Sequence, residues 1–362
     1  MSQQQIPFTF IDTPEALKKA ANEWANENEF GIDLEMENNL HNYGCYTSII
    51  QISSRSKNWI VDTLALKDIS SVVKIFEDPS KLKIFHDVTF DFRLLEQEFK
   101  CKPRNIFDTE KAAVFLGKES VGLGSLLKEY FDVEKESKFQ MADWTKRPIN
   151  KEMLSYATKD TIYLLKLKDA LESELKKKDR LDWIYEYFQR LEKADYPIKQ
   201  MEYFEFRGYR SLSPRQQAIL KELFLLREEL AKKVDRPVHF IMNNKLLGDL
   251  LTHHPKKISD WENMKGVHPV VKRSAMKFHK AIQKGKSAKT EILPKTTKPK
   301  RFSEQQKKLI IRLGEKRDAL AKKYEVPAHI FLSKDEMKEI AALNSLDMLM
   351  SWQKKLMEGF LK

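Results

Sequence analysis

Phe30-Gly31-Ile32-Asp33-Leu34-Glu35 reads as a β-strand with a conflict built into it. Alternation along a strand sends Ile32 and Leu34 to one face and Asp33 and Glu35 to the other. Two carboxylates on a strand otherwise fit for a core carry a large desolvation cost unless cations offset it. The stretch therefore predicts a central sheet strand and a cation site together. Upstream, Phe8-Thr9-Phe10-Ile11 reads as a short strand, and Thr13-Pro14-Glu15 as a helix start with Thr13 as N-cap and Pro14 at the first helical position. Downstream, Thr47 to Ile52 and Asn58 to Asp62 read as strands, and the short turn Ser53-Ser54-Arg55-Ser56 makes them antiparallel. Lys83-Ile84-Phe85 reads as a further short central strand. Helical patterns follow over 90–99, 109–116 and 124–130, then as one long stretch over 151–176. The expected fold is α/β, a mixed sheet flanked by helices.

Three more residues join the two strand carboxylates. Asp91 falls at a helix start just after the strand Lys83–Phe85. Tyr156 and Asp160 are four apart on a helix, hence neighbours on one face. Strand ends and helix starts converge at the edge of an α/β sheet, where ligand sites form. An all-oxygen set of this kind suits Mg²⁺ or Mn²⁺ rather than zinc. Two such ions roughly 3.5–4 Å apart can clamp the attacking and leaving oxygens of a phosphoryl displacement. Asp33, Glu35, Asp91 and Asp160 are the expected ligands. Tyr156, a phenol that titrates near ~10, is expected to keep its proton and orient the attacking water.

The chain has 362 residues, 41% hydrophobic and 33% charged, enough for two or three domains. No apolar run approaches the ~20 residues of a membrane span, and Met1 to Gln5 lack the features of a signal peptide. Two cysteines, Cys45 and Cys101, exclude a disulfide framework or a cysteine-rich zinc site and fit a reducing, cytoplasmic setting. Charge is unevenly placed. Residues 1–200 carry 30 Lys and Arg against 34 Asp and Glu, whereas 201–362 carry 35 against 19. A polyanion-binding part is thus expected behind a neutral one.

That basic part contains an internal repeat. Ser213 to His239 aligns without a gap on Ser303 to His329, at an offset of 90 residues. The matched pairs include Gln216 with Gln306, Leu223 with Leu313, Arg227 with Arg317, and Pro237 with Pro327. Leu230-Ala231-Lys232-Lys233 recurs as Leu320-Ala321-Lys322-Lys323. Each copy should open on a serine N-cap, run as one helix of about 20 residues and break at its proline. The expected division is a catalytic domain over 1–200, helical modules over 205–286 and 302–362, and a flexible basic linker over 287–301. Asp347 to Phe360 reads as an amphipathic end to the second copy.

Gly31 to Glu35, His86-x4-Asp91 and Tyr156-x3-Asp160 resemble the three exonuclease motifs of the DEDD superfamily, in its tyrosine-containing branch. Ile106-Phe107-Asp108-Thr109 and Asp143-Trp144-Thr145-Lys146-Arg147-Pro148-Ile149 resemble RNase D proteins. Around Asn58–Leu66 and Ile84–Asp91 the chain is as similar to the eukaryotic exosome-associated exonuclease. The repeats resemble HRDC domains, which bind nucleic acid. The resemblance covers nearly the whole chain. It implies a ribonuclease-H-like domain followed by two all-α HRDC domains, and a 3′→5′ exoribonuclease that releases 5′-mononucleotides, typically in tRNA 3′ maturation. It assigns Asp33, Glu35, Asp91 and Asp160 to metal binding and Tyr156 to the nucleophilic water. Met36 departs from the aromatic residue that many RNase D proteins carry after the first Glu.

Single-stranded 3′ ends are gripped by stacking and by phosphate-directed cations. Trp144, Arg147, Phe90, His86 and Met36 are the candidate substrate contacts. Lys232-Lys233, Lys256-Lys257, Lys272-Arg273, Lys295–Arg301 and Lys322-Lys323 would add salt-sensitive phosphate contacts. The expected partner is RNA with a single-stranded 3′ end, tRNA precursors first, engaged by a monomer. The alternatives are a DNA 3′ exonuclease of the same superfamily and a catalytically idle RNA-binding protein.

Overall fold

A computed structural model of the chain describes residues 6–288 and 301–361. Most of the linker expected over 287–301, with Lys295 to Lys300, lies outside them. The described residues fall into two compact units: one of 6–35, 47–197 and 301–361, the other of 36–46 and 198–288.

The first unit is built on a mixed six-stranded sheet of order β1-β4-β3-β2-β5-β6. Its strands are β1 (Thr9–Ile11), β2 (Glu29–Asn38), β3 (Cys45–Ser53), β4 (Asn58–Asp62), β5 (Leu82–Phe85) and β6 (Ile106–Asp108). β3 and β4 pair antiparallel, as their short turn requires, while β1 with β4, β2 with β5 and β5 with β6 pair parallel. Eight helices accompany it: α1 (Pro14–Trp24), α2 (Ser70–Glu77), α3 (Thr89–Phe99), α4 (Thr109–Leu116), α5 (Leu123–Phe131), α6 (Lys151–Thr161), α7 (Leu164–Lys177) and α8 (Leu181–Lys193). Thr13 caps α1 by accepting from Ala16 N at 3.2 Å, with Pro14 in the first turn.

Two departures from the expected elements matter. The single helix expected over 151–176 breaks at Ile162 and Tyr163 into α6 and α7. The break falls where the helix backbone meets Gly31 of β2 and Thr161 Oγ1 lies 2.6 Å from Ser53 Oγ. β2 also runs three residues past Glu35. Its turn is closed by Asn39, which takes a left-handed φ of 52° and exchanges bonds with Gly44.

Residues 301–361 pack against the sheet-bearing part of the same unit. Trp183 of α8 stacks on Trp352 at 4.6 Å, and Arg190 pairs with Glu336 at 2.7 Å. Gly117, at φ 78°, lets the Glu325 carbonyl approach where a Cβ would have no room. In the second unit, the helix α9 (Pro214–Val234) carries the expected Ser213–Gln216 capping box and packs on the helix Ala275–Ser287. The β2–β3 turn belongs to this unit: Tyr43 N donates to Asp235 Oδ1 at 3.1 Å, and Arg236 donates to Asn42 at 3.0 Å. Among the described residues, Cys45 and Cys101 form no disulfide. No helix among the described residues is long and apolar enough to cross a membrane.

Candidate active site

The site begins at Gly31. A Cβ there would lie 2.7 Å from Thr161 O and 3.2 Å from Leu164 Cβ, so only glycine allows α6 and α7 to come this near β2. That approach sets Asp160 beside the strand carboxylates. Asp33, Glu35 and Asp160 each offer an oxygen within 4.8 Å of the others. Asp91, buried in the first turn of α3, adds a fourth acid whose charge acts on Glu35 and feels that of Asp33. Tyr156 lies one turn before Asp160 on α6 and is buried.

These acids repel one another in a poorly solvated place. Burial first, and the Asp160 charge second, push Asp33 up to about 7, with Lys135 pulling the other way. Burial and then the neighbouring acids hold Glu35 and Asp91 well above the usual carboxylate range. Asp160 is raised by burial against the lowering effect of Lys135. Burial likewise raises the Tyr156 phenol, which stays protonated at neutral pH. The donor set fits hard divalent cations: all oxygen, converging, and short of positive charge.

The residue that sequence reasoning missed is Lys135. Its ammonium lies 2.6 Å from Asp160 Oδ1, donates to Tyr156 OH at 3.2 Å, and sits 4.8 Å from the centre of the Tyr156 ring. Burial works against its charge, but Asp160 and Tyr156 outweigh burial and raise it. Its segment, between α5 and α6, has no periodicity to mark it.

The expected substrate contacts divide. Phe90, half-buried, neighbours Asp91 on α3. His86 Nδ1 is 2.9 Å from Thr109 Oγ1, whose proton goes to Phe85 O. His86 therefore donates through Nδ1 and keeps Nε2 as an acceptor. Burial pushes it down to about 4, so it is neutral at neutral pH. Met36 opens the turn segment assigned to the second unit. Trp144 and Arg147 have structural partners. Trp144 is 2% exposed, packs with Ile49, Ile60 and Tyr156, and donates to Phe139 O at 3.2 Å. Arg147 grips both oxygens of Asp62, at 2.6 and 2.7 Å, and the Trp144 carbonyl at 2.7 Å. Phe139 meets the Tyr156 ring edge-on at 5.6 Å, so the tyrosine is held on several sides.

Comparison with known proteins places this geometry. A family model described as 3′-5′ exonuclease matches residues 8–176, and the HRDC domain model matches residues 216–282. The chain is 28% identical over 270 residues to "Exosome complex exonuclease RRP6" of Saccharomyces cerevisiae, an alignment spanning 69% of this chain but 36% of that protein. The crystal structure of the catalytic core of RRP6 from Trypanosoma brucei superposes with a TM-score of 0.71 at 28% identity, covering 79% of this chain and 81% of that one. Escherichia coli RNase D shares the fold, with a TM-score of 0.70 at 20% identity over 98% of both chains.

Proposed function

Since this chain belongs to the DEDD family of 3′–5′ exonucleases, with an HRDC region behind the exonuclease domain, we propose that it is a metal-dependent 3′→5′ exoribonuclease that releases 5′-mononucleotides. The convergence of Asp33, Glu35 and Asp160 within 4.8 Å, with Asp91 beside them, carries this reading. Two Mg²⁺ or Mn²⁺ ions held by these four carboxylates would supply the positive charge that activates water and offsets charge on the leaving oxygen. The chain's own groups do the rest. The protonated Tyr156 hydroxyl orients the attacking water, fixed by Phe139, Trp144 and Lys135. Neutral His86 and half-buried Phe90 remain the candidates for touching the terminal nucleotide.

RNA is the favoured polymer because the basic half of the chain resembles HRDC modules, and the yeast relative is named for an exosome complex. We assign the chain to trimming single-stranded RNA 3′ ends, tRNA precursors among them. The deciding experiment incubates the purified chain with a 3′-extended tRNA precursor, plain single-stranded RNA and single-stranded DNA, each with Mg²⁺, Mn²⁺ or EDTA, alongside Asp33→Asn. Mononucleotide release from RNA that stops in EDTA and in the variant is expected. Cleavage persisting in either would refute the metal mechanism, and equal attack on DNA would refute the RNA assignment.

A further inference from the structure

Lys135 stands on a strap of polar chain between α5 and α6, laid along α6 and fastened by three lysine–carboxylate pairs. Two are at its edges: Lys138 with Glu152 at 2.9 Å, and Lys159 with Glu136 at 3.0 Å. The third is Lys135 with Asp160 at 2.6 Å, inside the site. The edge pairs lie towards the surface, and Phe139 of the strap meets the Tyr156 ring edge-on. The inner pair is different in kind. Asp160 is 4% exposed, and its Oδ1 faces the Lys135 ammonium at 2.6 Å. The same ammonium is the cation whose field reaches Asp33, Glu35 and Asp160 alike.

We propose that Lys135 is a positioning residue that takes the place of a cation against Asp160 and Tyr156, and that it must give up Asp160 when a divalent ion binds. Four converging carboxylates, two of them buried, share one lysine, and that crowding of like charge favours a cation among them. Without an ion, Lys135 keeps Asp160 and Tyr156 in register one turn apart on α6. It also sets the direction of the phenol: Tyr156 O accepts from the ammonium, so its own proton points elsewhere, free to donate. With ions present, an ammonium 2.6 Å from a ligand oxygen opposes them, and Lys135 withdraws from Asp160.

The inference rests on the metal-dependent reading above, and its test keeps the two apart. The full chain is titrated with Mn²⁺, and free Mn²⁺ is read by electron paramagnetic resonance. Lys135→Met should bind Mn²⁺ about threefold or more tightly than the wild type, because the competing charge is gone. Lys135→Arg, which keeps the charge, should follow the wild type. Unchanged or weaker Mn²⁺ binding by Lys135→Met overturns the proposal. A second measurement needs no variant: hydrogen exchange over 133–142 should speed up when Mn²⁺ is added to the wild type, and protection that is unchanged or greater also overturns it. Should the wild type bind no Mn²⁺, or bind it as well after Asp33→Asn, the metal-dependent reading falls with it.

Discussion

Among the described residues of the sheet-bearing unit, two groups of three acids are close enough to hold a metal ion: Asp33, Glu35 and Asp160, and Asp87, Asp108 and Glu110. They differ in what else they touch. Asp108 accepts from the backbone N–H groups of Asp87, Val88, Glu110 and Lys111, at 2.9–3.1 Å. Lys111 meets both Asp87, at 3.0 Å, and Glu110, at 2.5 Å. Asp108 thereby closes the loop between β5 and α3 and caps α4, while Lys111 pairs with the other two acids. The first group is met at short range by one lysine, with a backbone hydrogen bond from Leu34 to Asp33, and its acids raise one another. The difference separates an acid that many backbone donors meet from acids that mostly face one another. Distance alone does not make that distinction; the supply of donors does.

The sharpest way to break the comparison is to neutralise one acid of each group. Asp33→Asn should lower mononucleotide release by about 10³-fold or more, since several kcal/mol of transition-state charge stabilisation depend on that site. The fold should not suffer. The Asp33 carboxyl is raised from 3.8 to about 7, so the metal-free folded state binds more protons than the unfolded state across that window. Stability of the metal-free chain therefore falls as pH rises from about 4 to 7, and this loss is absent from the variant. Denaturant melts of both proteins in EDTA at several pH values check the sign: the advantage of Asp33→Asn should grow towards pH 7. A constant difference would show that Asp33 is not strained by burial.

Structural acids should respond in the opposite way. Arg147→Met leaves Asp62, 2% exposed, without its bidentate partner, though Leu64 and Ala65 N–H groups still reach it. A loss of about 2–3 kcal/mol is expected, somewhat below the cost of breaking a fully buried pair because the arginine is partly exposed. Asp108→Asn replaces one acceptor oxygen by a donor facing backbone N–H groups. About 1–2 kcal/mol should be lost in a denaturant melt, with Mn²⁺ stoichiometry unchanged. A drop in that stoichiometry would make the second group a metal site too and erase the contrast.

What was legible in the sequence follows the same division. Asp33 and Glu35 stood out because a carboxylate breaks a strand's apolar pattern, and Tyr156 and Asp160 because four residues make one helical turn. Those are local signals, and the mixed sheet could be assembled from them. Lys135 gave none. It is one lysine among several in an aperiodic segment, and its partner Asp160 is 25 residues away. Trp144 and Arg147 were legible as a motif but not in their role: an aromatic and a cation in a polar stretch suit a nucleic-acid contact equally well. Asp62, the partner that engages Arg147, is 85 residues away in sequence. The turn over 36–46 gave no sign that it groups with the second unit, because its partners Asp235 and Arg236 lie some 190 residues downstream.

The smallest effect concerns the helix that carries Asp160. α6 is capped at its start by Asn150, whose side chain accepts from Glu152 N at 2.8 Å, and carries Tyr156 and Asp160 towards its other end. Asn150→Ala removes a donor's partner at an exposed helix start and should cost about 0.5–1 kcal/mol in a denaturant melt. The site should barely notice. Fraying at the first turn stops short of Tyr156, which is held by Phe139, Trp144 and Lys135, and of Asp160, whose turn packs on Gly31. Equal turnover by Asn150→Ala and wild type is therefore the expected result. A loss of turnover larger than the loss of stability would mean that α6 moves as one body, and that its cap helps to hold Tyr156 and Asp160 in place.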